Sequence, residues 1–475
     1  MVKKILLFVL AAIMLLVLVI LVKTFTFSSQ QMQVEKVAPV ATPDGAISRF
    51  QKAIQSPTIS YNDPADFKSQ PFIDLLAHLD SSYVLVDSLL EKQSFNYSRL
   101  YKWEGKNPTS DVVVLMGHLD VVPVDQNTLD GWEAPPFSGE IKDGKIYGRG
   151  AMDDKINVMA LLEACEVLLK EGFQPDRTIY FAFGHDEEIG GENGAKLMAE
   201  FLKEQGVRAE FVLDEGGFIA DGMIPGLTKP LAVINTGEKG YVSFKISVTT
   251  PGGHSSAPPK DNTIAVLAKA ITKLQDNQFD YRMLPVIDKQ INRVGPEFES
   301  FVSKMAFANQ WLFSGQILEG LNAHTTIAPT IVEGGVKDNV IPTTASVVVN
   351  FRIMPGESVE DVRNHISNVL GEGIALESIS NENEPSVVSS DETESFQLIE
   401  KTVRQLFPEA IVTPGLLGAG TDSKHFLLIS DNVYRFFPTR VHPGNVTGFH
   451  GINEHIPVEN YEETIQFSYQ LMKNL

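Results

Sequence analysis

The order of apolar and polar residues along the chain predicts an α/β fold. Apolar, β-branched runs at residues 111–116, 178–183 and 210–213 have the length and composition of buried strands. Helical periodicity at Lys155–Glu171 and Asn193–Gln205 alternates with these runs. This alternation indicates a mostly parallel sheet flanked by helices, in which ligands bind beyond the carboxyl ends of the strands.

The pattern changes near residue 237. Residues 241–248 and 346–352 alternate between apolar and polar side chains, as half-buried antiparallel strands do. Further helices are predicted at Thr263–Leu274, Val359–Leu370, Glu394–Leu406 and Glu459–Met472. We therefore expect an inserted α+β domain over residues 237–376, after which the α/β pattern returns.

The first residues differ from this globular pattern. Residues 5–22 form an uncharged apolar stretch, which as a helix is about 27 Å long and can cross a bilayer. Lys3 and Lys4 precede it, and their charge favours a cytoplasmic N-terminus with the rest of the chain outside the cytoplasm. A cleaved signal peptide is the alternative, although no Ala-x-Ala-like site follows the stretch. We expect an uncleaved, single-pass membrane anchor.

A chain of 475 residues is longer than one hydrophobic core normally serves, so more than one folded domain is expected. The segments described above divide it into five parts. These are an anchor at 1–23, a linker at 24–45, a first catalytic part at 46–236, an inserted lid or dimerisation domain at 237–376 and a second catalytic part at 377–475.

Charge and cysteine content narrow the function. The net charge of −21, without a local Lys/Arg cluster, argues against a nucleic-acid partner. Cys165 is the only cysteine, so an intramolecular disulfide and a thiolate-rich zinc site are both excluded. Cys165 lies in an apolar run and is expected to be a buried thiol rather than a nucleophile. Any metal must therefore be held by histidines and carboxylates.

Polar residues follow each of the predicted parallel strands. His118 and Asp120 come after the first, Glu187 and Glu188 after the second, and Asp214 after the third. A carboxylate beside an imidazole fixes its tautomer for metal binding, and paired glutamates suit a metal ligand next to a proton acceptor. From the residues alone, a chance His-x-Asp pair and a solvated acidic turn remain alternatives.

Two further segments carry candidate ligands. Asp153 and Asp154 follow a glycine-containing turn at the start of a predicted helix, where an aspartate helix cap is the simpler interpretation. His450 lies in the polar segment 448–455 and would supply a second imidazole.

Together these segments resemble the di-zinc peptidase family of aminoacylase and carboxypeptidase S. That family also includes carboxypeptidase G, carnosine dipeptidases and succinyl-diaminopimelate desuccinylase, and this chain is most like the carboxypeptidase S type. The resemblance extends from about residue 50 to the end, with the motifs in the same order. It implies a zinc-peptidase fold, a mostly parallel sheet with an inserted α+β lid, and two zinc ions per subunit.

The resemblance also implies a role for each candidate residue. One zinc would be bound by His118, Asp153 and Asp214, and the other by Asp153, Glu188 and His450. Glu187 would be the general base, and Asp120 would orient His118. A non-proline cis peptide is expected between Asp153 and Asp154.

Residues of the inserted domain and of a late loop resemble the family's substrate-binding segments. His254, in Pro251–Ser256, would stabilise the oxyanion, often at the site of a partner subunit. Arg352 would bind the substrate carboxylate. The loop containing Gly420, Thr421 and Asp422 would line the same pocket, although Ala419 departs from the usual Gly-Gly-Thr-Asp form. We expect Arg352 and His254 to lie far from the metal ligands unless the lid closes or a dimer forms.

The resemblance implies a zinc-dependent carboxypeptidase or dipeptidase that cleaves amide bonds adjacent to a free carboxylate. An N-acyl or fatty-acyl amino acid amidohydrolase satisfies the same residues and is the alternative. An inactive binding ectodomain is disfavoured, because none of the predicted ligands is missing from the sequence. A homodimer formed through the inserted domain is a further expectation.

Overall fold

A computed structural model describes residues 1–371 and 373–475. In these residues the helices are α1 (Val2–Thr26), α2 (Ala46–Ile54), α3 (Gln70–Ser82), α4 (Val84–Leu89), α5 (Lys155–Lys170), α6 (Ala195–Glu204), α7 (Thr263–Gln275), α8 (Pro285–Val294), α9 (Phe301–Ala308), α10 (Gln310–Gly320), α11 (Val359–Leu370), α12 (Glu394–Leu406) and α13 (Val458–Asn474).

The strands of the same residues are β1 (Glu91–Phe95), β2 (Ser98–Trp103), β3 (Val112–His118), β4 (Ile141–Lys142), β5 (Lys145–Tyr147), β6 (Ile179–Gly184), β7 (Ala209–Asp214), β8 (Ile219–Ala220), β9 (Leu231–Glu238), β10 (Gly240–Thr249), β11 (Gly253–His254), β12 (Thr326–Gly334), β13 (Val340–Ile341), β14 (Thr344–Ile353), β15 (Ile374–Ser378), β16 (Ile411–Leu417), β17 (Val433–Arg435), β18 (Arg440–Val441) and β19 (His455–Pro457).

The largest sheet has the order β1-β2-β6-β3-β7-β17-β9-β8-β18, with β16 paired to β9. Its centre is parallel, because β3 pairs in parallel with both β6 and β7, and β17 pairs in parallel with β7. Alternate residues of β3 belong to different clusters of buried apolar side chains. Val113 and Leu115 pack on one face of the sheet, and Val114 and Met116 pack on the other. Burial on both faces explains the continuous apolar run, and the predicted α/β class is confirmed.

A second, four-stranded sheet has the order β12-β14-β10-β15 and is antiparallel throughout. The apolar faces of α7 and α11 pack on it through residues such as Leu267, Leu274 and Val362. Asn262 caps α7, and Ser358 and Asp361 form a capping box at α11, so both helices begin where the sequence predicts.

The region between α7 and β12 contains three helices that the sequence analysis did not identify. Helix α8 packs on β16, and a cluster that includes Ile287, Ile317 and Leu318 joins α8 and α10 to the neighbouring strands. Helices α9 and α10 follow one another with only Asn309 between them.

Helix α1 is the one helix of the described residues that is long and apolar enough to cross a membrane. Its last turn contacts α9. The side-chain amide of Asn309 donates to Thr24 Oγ1 at 3.2 Å and to the carbonyl of Ile20 at 3.3 Å. The rings of Phe25 and Phe301 lie 5.8 Å apart. Helix α1 therefore ends against the folded body.

The segment expected to be a linker is also bound to the body rather than free. The side-chain amide of Gln31 accepts from the backbone N–H of Val412 at 2.7 Å and donates to its carbonyl at 3.2 Å. Arg404 Nε donates to the carbonyl of Met32 at 3.1 Å. These polar contacts produce no periodic pattern of apolar residues, so the sequence does not reveal them.

Candidate metal centre and substrate cavity

The carboxyl ends of β3, β6 and β7 lie side by side in the sheet and bring their following residues together. His118 is the last residue of β3, Glu187 and Glu188 form a short 3-10 turn after β6, and Glu215 follows β7. Asp153 lies in the loop between β5 and α5. Their side chains form two overlapping groups in which all candidate ligand atoms lie within 4.8 Å of one another: His118, Asp153 and Glu188, and His118, Glu187 and Glu215.

Asp153 joins the two predicted imidazoles. One of its carboxylate oxygens lies 2.9 Å from His118 Nε2, and the other lies 3.1 Å from His450 Nε2. Burial alone would raise the pKa of Asp153, but its hydrogen bonds with the two histidines keep that pKa below the usual value. The bond between Asp153 and Asp154 is cis, as the family resemblance implies. Asp153 thus connects the two histidines within one cluster.

Asp120 lies beneath this cluster and is fully buried. His118 Nδ1 lies 3.0 Å from the backbone carbonyl oxygen of Asp120 and 3.4 Å from its Oδ1. The two carboxylate oxygens of Asp120 accept from the backbone N–H groups of Glu187 and Glu188, each at 3.1 Å. Asp120 therefore orients the imidazole through its backbone carbonyl and its nearby carboxylate, and the carboxylate also fixes the turn that presents both glutamates. From the sequence, only the contact of Asp120 with His118 was expected.

The two adjacent glutamates have different surroundings. Glu188 Oε2 lies 3.2 Å from His450 Nε2, whereas Glu188 Oε1 is buried without a hydrogen-bond partner among the described residues. Burial, with Asp153 nearby, raises the pKa of Glu188 to about 7. Burial also raises the pKa of Glu187 well above its ordinary value, and Glu187 lines the adjoining cavity.

The structure does not bring Asp214 into this cluster, and the prediction for this residue needs correction. Asp214 is buried, and its Oδ2 accepts from the backbone N–H of Ser423 at 2.9 Å. The next residue, Glu215, places Oε1 3.9 Å from His118 Nε2 and belongs to a candidate metal group. Successive side chains at a strand end point in opposite directions, so only one of two adjacent acids can face the site.

The donor set fits divalent metal. Burial raises the pKa of Glu215, as it does for both glutamates of the turn. The negative charges of the neighbouring carboxylates Asp153 and Asp154 raise it further. Imidazole nitrogen and carboxylate oxygen are the ligands that zinc accepts when cysteine is absent. A cation would balance this excess negative charge and would give Glu188 Oε1 a partner. The residues present therefore suit a metal centre.

A cavity of about 450 Å³ opens on the cluster. Arg352 of β14 lies in its wall, together with Asp153, Glu187 and His450. The Arg352 guanidinium lies over the ring of Tyr241, 4.8 Å from its centroid. Arg352 therefore shares a cavity with the candidate ligands within a single chain, the arrangement that was expected only with the lid closed or in a dimer.

The other residues predicted for substrate binding fall into two groups. Gly420 and Thr421 line the cavity. Asp422 is buried beside the glycines that end β6 and follow the glutamate turn, and neither of its carboxylate oxygens has a hydrogen-bond partner among the described residues. His254 is exposed on β11, where its Nδ1 lies 2.8 Å from Ser256 Oγ. Neither Asp422 nor His254 is among the residues that line this cavity.

Glu454 is a buried acid that the sequence analysis did not select. Its carboxylate accepts from the backbone N–H groups of Gly150, Met152 and Asp153 at 3.0, 2.7 and 3.2 Å, and pairs with Arg149 at 2.6 Å. It thereby holds the turn that presents Asp153. Its position four residues after His450 was the only available signal.

We expect Glu454→Gln to lower the free energy of unfolding by about 3–5 kcal/mol, because it leaves the buried Arg149 without its countercharge. Chemical denaturation of wild type and variant measures this difference. Glu459→Gln, an exposed position nearby, is the matched control and should change stability by less than about 0.5 kcal/mol. Equal stability of the two variants would show that Glu454 does not support the turn.

Comparison with known proteins agrees with this fold and site. Residues 114–474 match the peptidase family M20/M25/M40. The chain is 38% identical to the N-fatty-acyl-amino acid synthase/hydrolase PM20D1.1 of Danio rerio, covering 98% of this chain and 94% of that protein. It is 37% identical to the probable carboxypeptidase S-like 2 of Dictyostelium discoideum, covering 97% and 92%.

Solved structures show the same fold. The M20 family metallo-carboxypeptidase Sso-CP2 of Sulfolobus solfataricus superposes with a TM-score of 0.69 at 20% identity, covering 91% of this chain and 99% of that one. Human carnosine dipeptidase 1 superposes with a TM-score of 0.64 at 18% identity, covering 92% and 99%.

The fold, the clustered ligands and these relatives define a metal-dependent hydrolase, and the protein is an enzyme of the metallopeptidase type. The chain belongs to the peptidase family M20/M25/M40. The resemblance stated from the sequence motifs is thereby confirmed.

Proposed function

We propose that this enzyme hydrolyses an amide bond adjacent to a free carboxylate, as a carboxypeptidase or dipeptidase does. The observation that carries the proposal is the position of Arg352, which shares one cavity with Asp153 and Glu187. Arg352 forms no ion pair with a carboxylate of the described residues, so its guanidinium is available to a substrate carboxylate. Gly420 and Thr421 line the wall nearby and would complete the carboxylate pocket.

We infer that the metal is zinc and that each subunit holds two ions. His118, Asp153 and Glu215 would hold one, and Asp153, Glu188 and His450 the other, with Glu215 replacing Asp214 of the sequence-based set. Bound zinc supplies Lewis acidity and lowers the pKa of water. Asp120 serves this site indirectly, because it fixes the ring of His118 and the turn of the two glutamates.

Glu187 is the general base of the proposal. It lies in the cavity wall beside the cluster, and its side chain makes no hydrogen bond with another described residue. A carboxylate in that position can take the proton of the attacking water and pass it to the departing amine. Burial and the neighbouring carboxylates Glu188 and Asp422 raise the pKa of Glu187, which increases its affinity for a proton.

An N-fatty-acyl amino acid is the second candidate substrate. The relative from Danio rerio bears the name of an N-fatty-acyl-amino acid synthase/hydrolase. The cavity wall also contains apolar side chains, namely Met152, Phe218, Leu417 and Phe449. Such a wall suits an acyl chain on the side of the amide away from Arg352.

Arg352→Ala tests the carboxylate proposal. We expect the wild type to prefer a free carboxylate over the matching C-terminal amide, in both dipeptides and N-acyl amino acids. On the carboxylate substrates, kcat/KM of the variant should fall by about 10- to 100-fold, because the variant lacks one charge-assisted hydrogen bond to the substrate. On the amides, kcat/KM should change little. Release of free amino acid measures both rates.

Arg363→Ala is the matched control, because Arg363 is a lid arginine that lies over Phe244 and pairs with Glu382. It should retain the wild-type preference. A wild type that hydrolyses amidated and free substrates equally would contradict the proposal. The ratio between dipeptides and long-chain N-acyl amino acids decides between the two candidate substrates.

We propose that 46–236 and 377–475 form the catalytic domain, with 237–376 as its lid. Because His254 is exposed on the lid, it would reach an oxyanion only after lid movement or in a homodimer, as the family resemblance implies. Sedimentation of the purified chain tests the dimer. The catalytic assignment of His254 requires that His254→Ala lowers kcat while substrate affinity is retained.

We further propose that α1 is an uncleaved membrane anchor with the enzyme outside the cytoplasm. Support comes from its apolar length and from the contacts of its last turn with Asn309 and Phe301, which a cleaved signal peptide would not need. A signal peptide is the alternative. The mass of the mature protein distinguishes the two.

A further inference from the structure

We propose that helices α9 and α10 form a second membrane contact, lying in the lipid interface beside the anchor. The occupant of this surface is a lipid bilayer. The inference goes beyond the hydrolase function and rests on the proposed anchor, because the position of α1 determines which face of the enzyme meets the membrane.

The two helices expose apolar side chains that a water-facing surface does not require. Phe301 and Val302 at the start of α9 are exposed, as are Trp311 and Leu312 at the start of α10. The sequence from Met305 to Leu318 contains no charged residue. Adjacent exposed apolar residues of this kind mark an interaction surface, and tryptophan is favoured at the membrane interface.

The anchor ends against this same segment. Asn309, the residue between the two helices, donates to Thr24 and Ile20 near the end of α1, and Phe301 contacts Phe25. Because α1 is exposed along its apolar length, a bilayer around it would extend to its C-terminal end. Phe301 of α9 lies next to that end, and Asn309 joins the residue before α10 to it. The exposed side chains of this segment are therefore held at the boundary between the hydrocarbon region and the headgroups.

The segment also adjoins the substrate cavity. Ile317 and Leu318 of α10 belong to a cluster into which Leu416 of β16 packs, and the next residue, Leu417, lines the cavity. Phe307 of α9 and Phe218, another cavity residue, pack against the same apolar cluster. A membrane contact here would place the cavity close to the bilayer, where long-chain amphiphiles concentrate.

Brominated lipids provide a direct test, because bromine in the acyl chains quenches tryptophan fluorescence on contact. Trp311 is 50% exposed, whereas Trp103 and Trp132 are 6% and 9% exposed in the catalytic part. The full chain is reconstituted into phosphatidylcholine vesicles with and without bromine at the upper acyl positions. We expect about a third of the emission to be lost, as for one of three tryptophans. Trp311→Phe is the control and should abolish this loss.

The other outcomes overturn the proposal in distinguishable ways. A chain that floats with the vesicles but is not quenched retains the anchor and refutes the contact of α9 and α10. If Trp311 is then also shielded from aqueous acrylamide, a second copy of the chain covers it instead. A chain that does not float refutes the anchor and the contact together. Hydrolysis of a soluble dipeptide by the same vesicles reports on the proposed function independently.

Discussion

Replacing Glu187 by glutamine is expected to lower kcat by about 10²- to 10⁴-fold, the range that a general base contributes. The amide keeps the size of the side chain but cannot accept the proton of the attacking water. Zinc content should remain at the wild-type level, because the proposed ligand set does not include Glu187. Steady-state rates on a dipeptide, with metal analysis of the same sample, measure both quantities.

Glu192→Gln is the matched control for this variant. Glu192 is an exposed acid on the same loop and pairs with Lys196 at the surface. Its replacement should leave kcat unchanged. Loss of zinc from Glu187→Gln would instead identify Glu187 as a ligand, consistent with its place in a group with His118 and Glu215. Full activity of the variant would remove Glu187 from the mechanism.

The pair Glu215→Gln and Asp214→Asn should give opposite results. Glu215→Gln is expected to lower both zinc affinity and kcat/KM by more than about 100-fold, since even residues behind the metal ligands cost 10- to 100-fold. Asp214→Asn keeps an oxygen that can accept from the N–H of Ser423 and should retain the metal. Zinc titration of the apo-enzymes measures the affinities.

The reverse outcome, with zinc lost from Asp214→Asn and kept by Glu215→Gln, would restore the original assignment. The two acids are adjacent, so their variants control for each other in local charge. Their melting temperatures check that both variants remain folded.

Most of the fold could be predicted from the sequence, because its elements are buried in regular ways. Strands β3, β6 and β7 and helices α5 and α11 were predicted within about two residues of their ends. Their apolar periodicity follows directly from packing on one or both faces. Helices α9 and α10 were not predicted, since most of their apolar residues are not buried and follow no core-facing period. Helix α8 was missed as well, although it buries Val286, Ile287 and Ile291.

The site was predictable in its residue types but not in its exact side-chain directions. The structure brings His118, Asp153, Glu188 and His450 into one cluster. The choice between Asp214 and Glu215 depends on which side chain faces the site at the end of β7. Two adjacent acids in the sequence do not indicate which of them does so. The support given by Glu454 depends on a contact between segments about 300 residues apart, and no local pattern could reveal it.

Anomalous diffraction at the zinc edge, from crystals of the zinc-loaded enzyme, tests the metal centre most directly. Two peaks are predicted on either side of Asp153. One should lie between His118 and Glu215, and the other between His450 and Glu188. A single peak, or peaks bound by other residues, would contradict the two-ion centre on which the proposed mechanism depends.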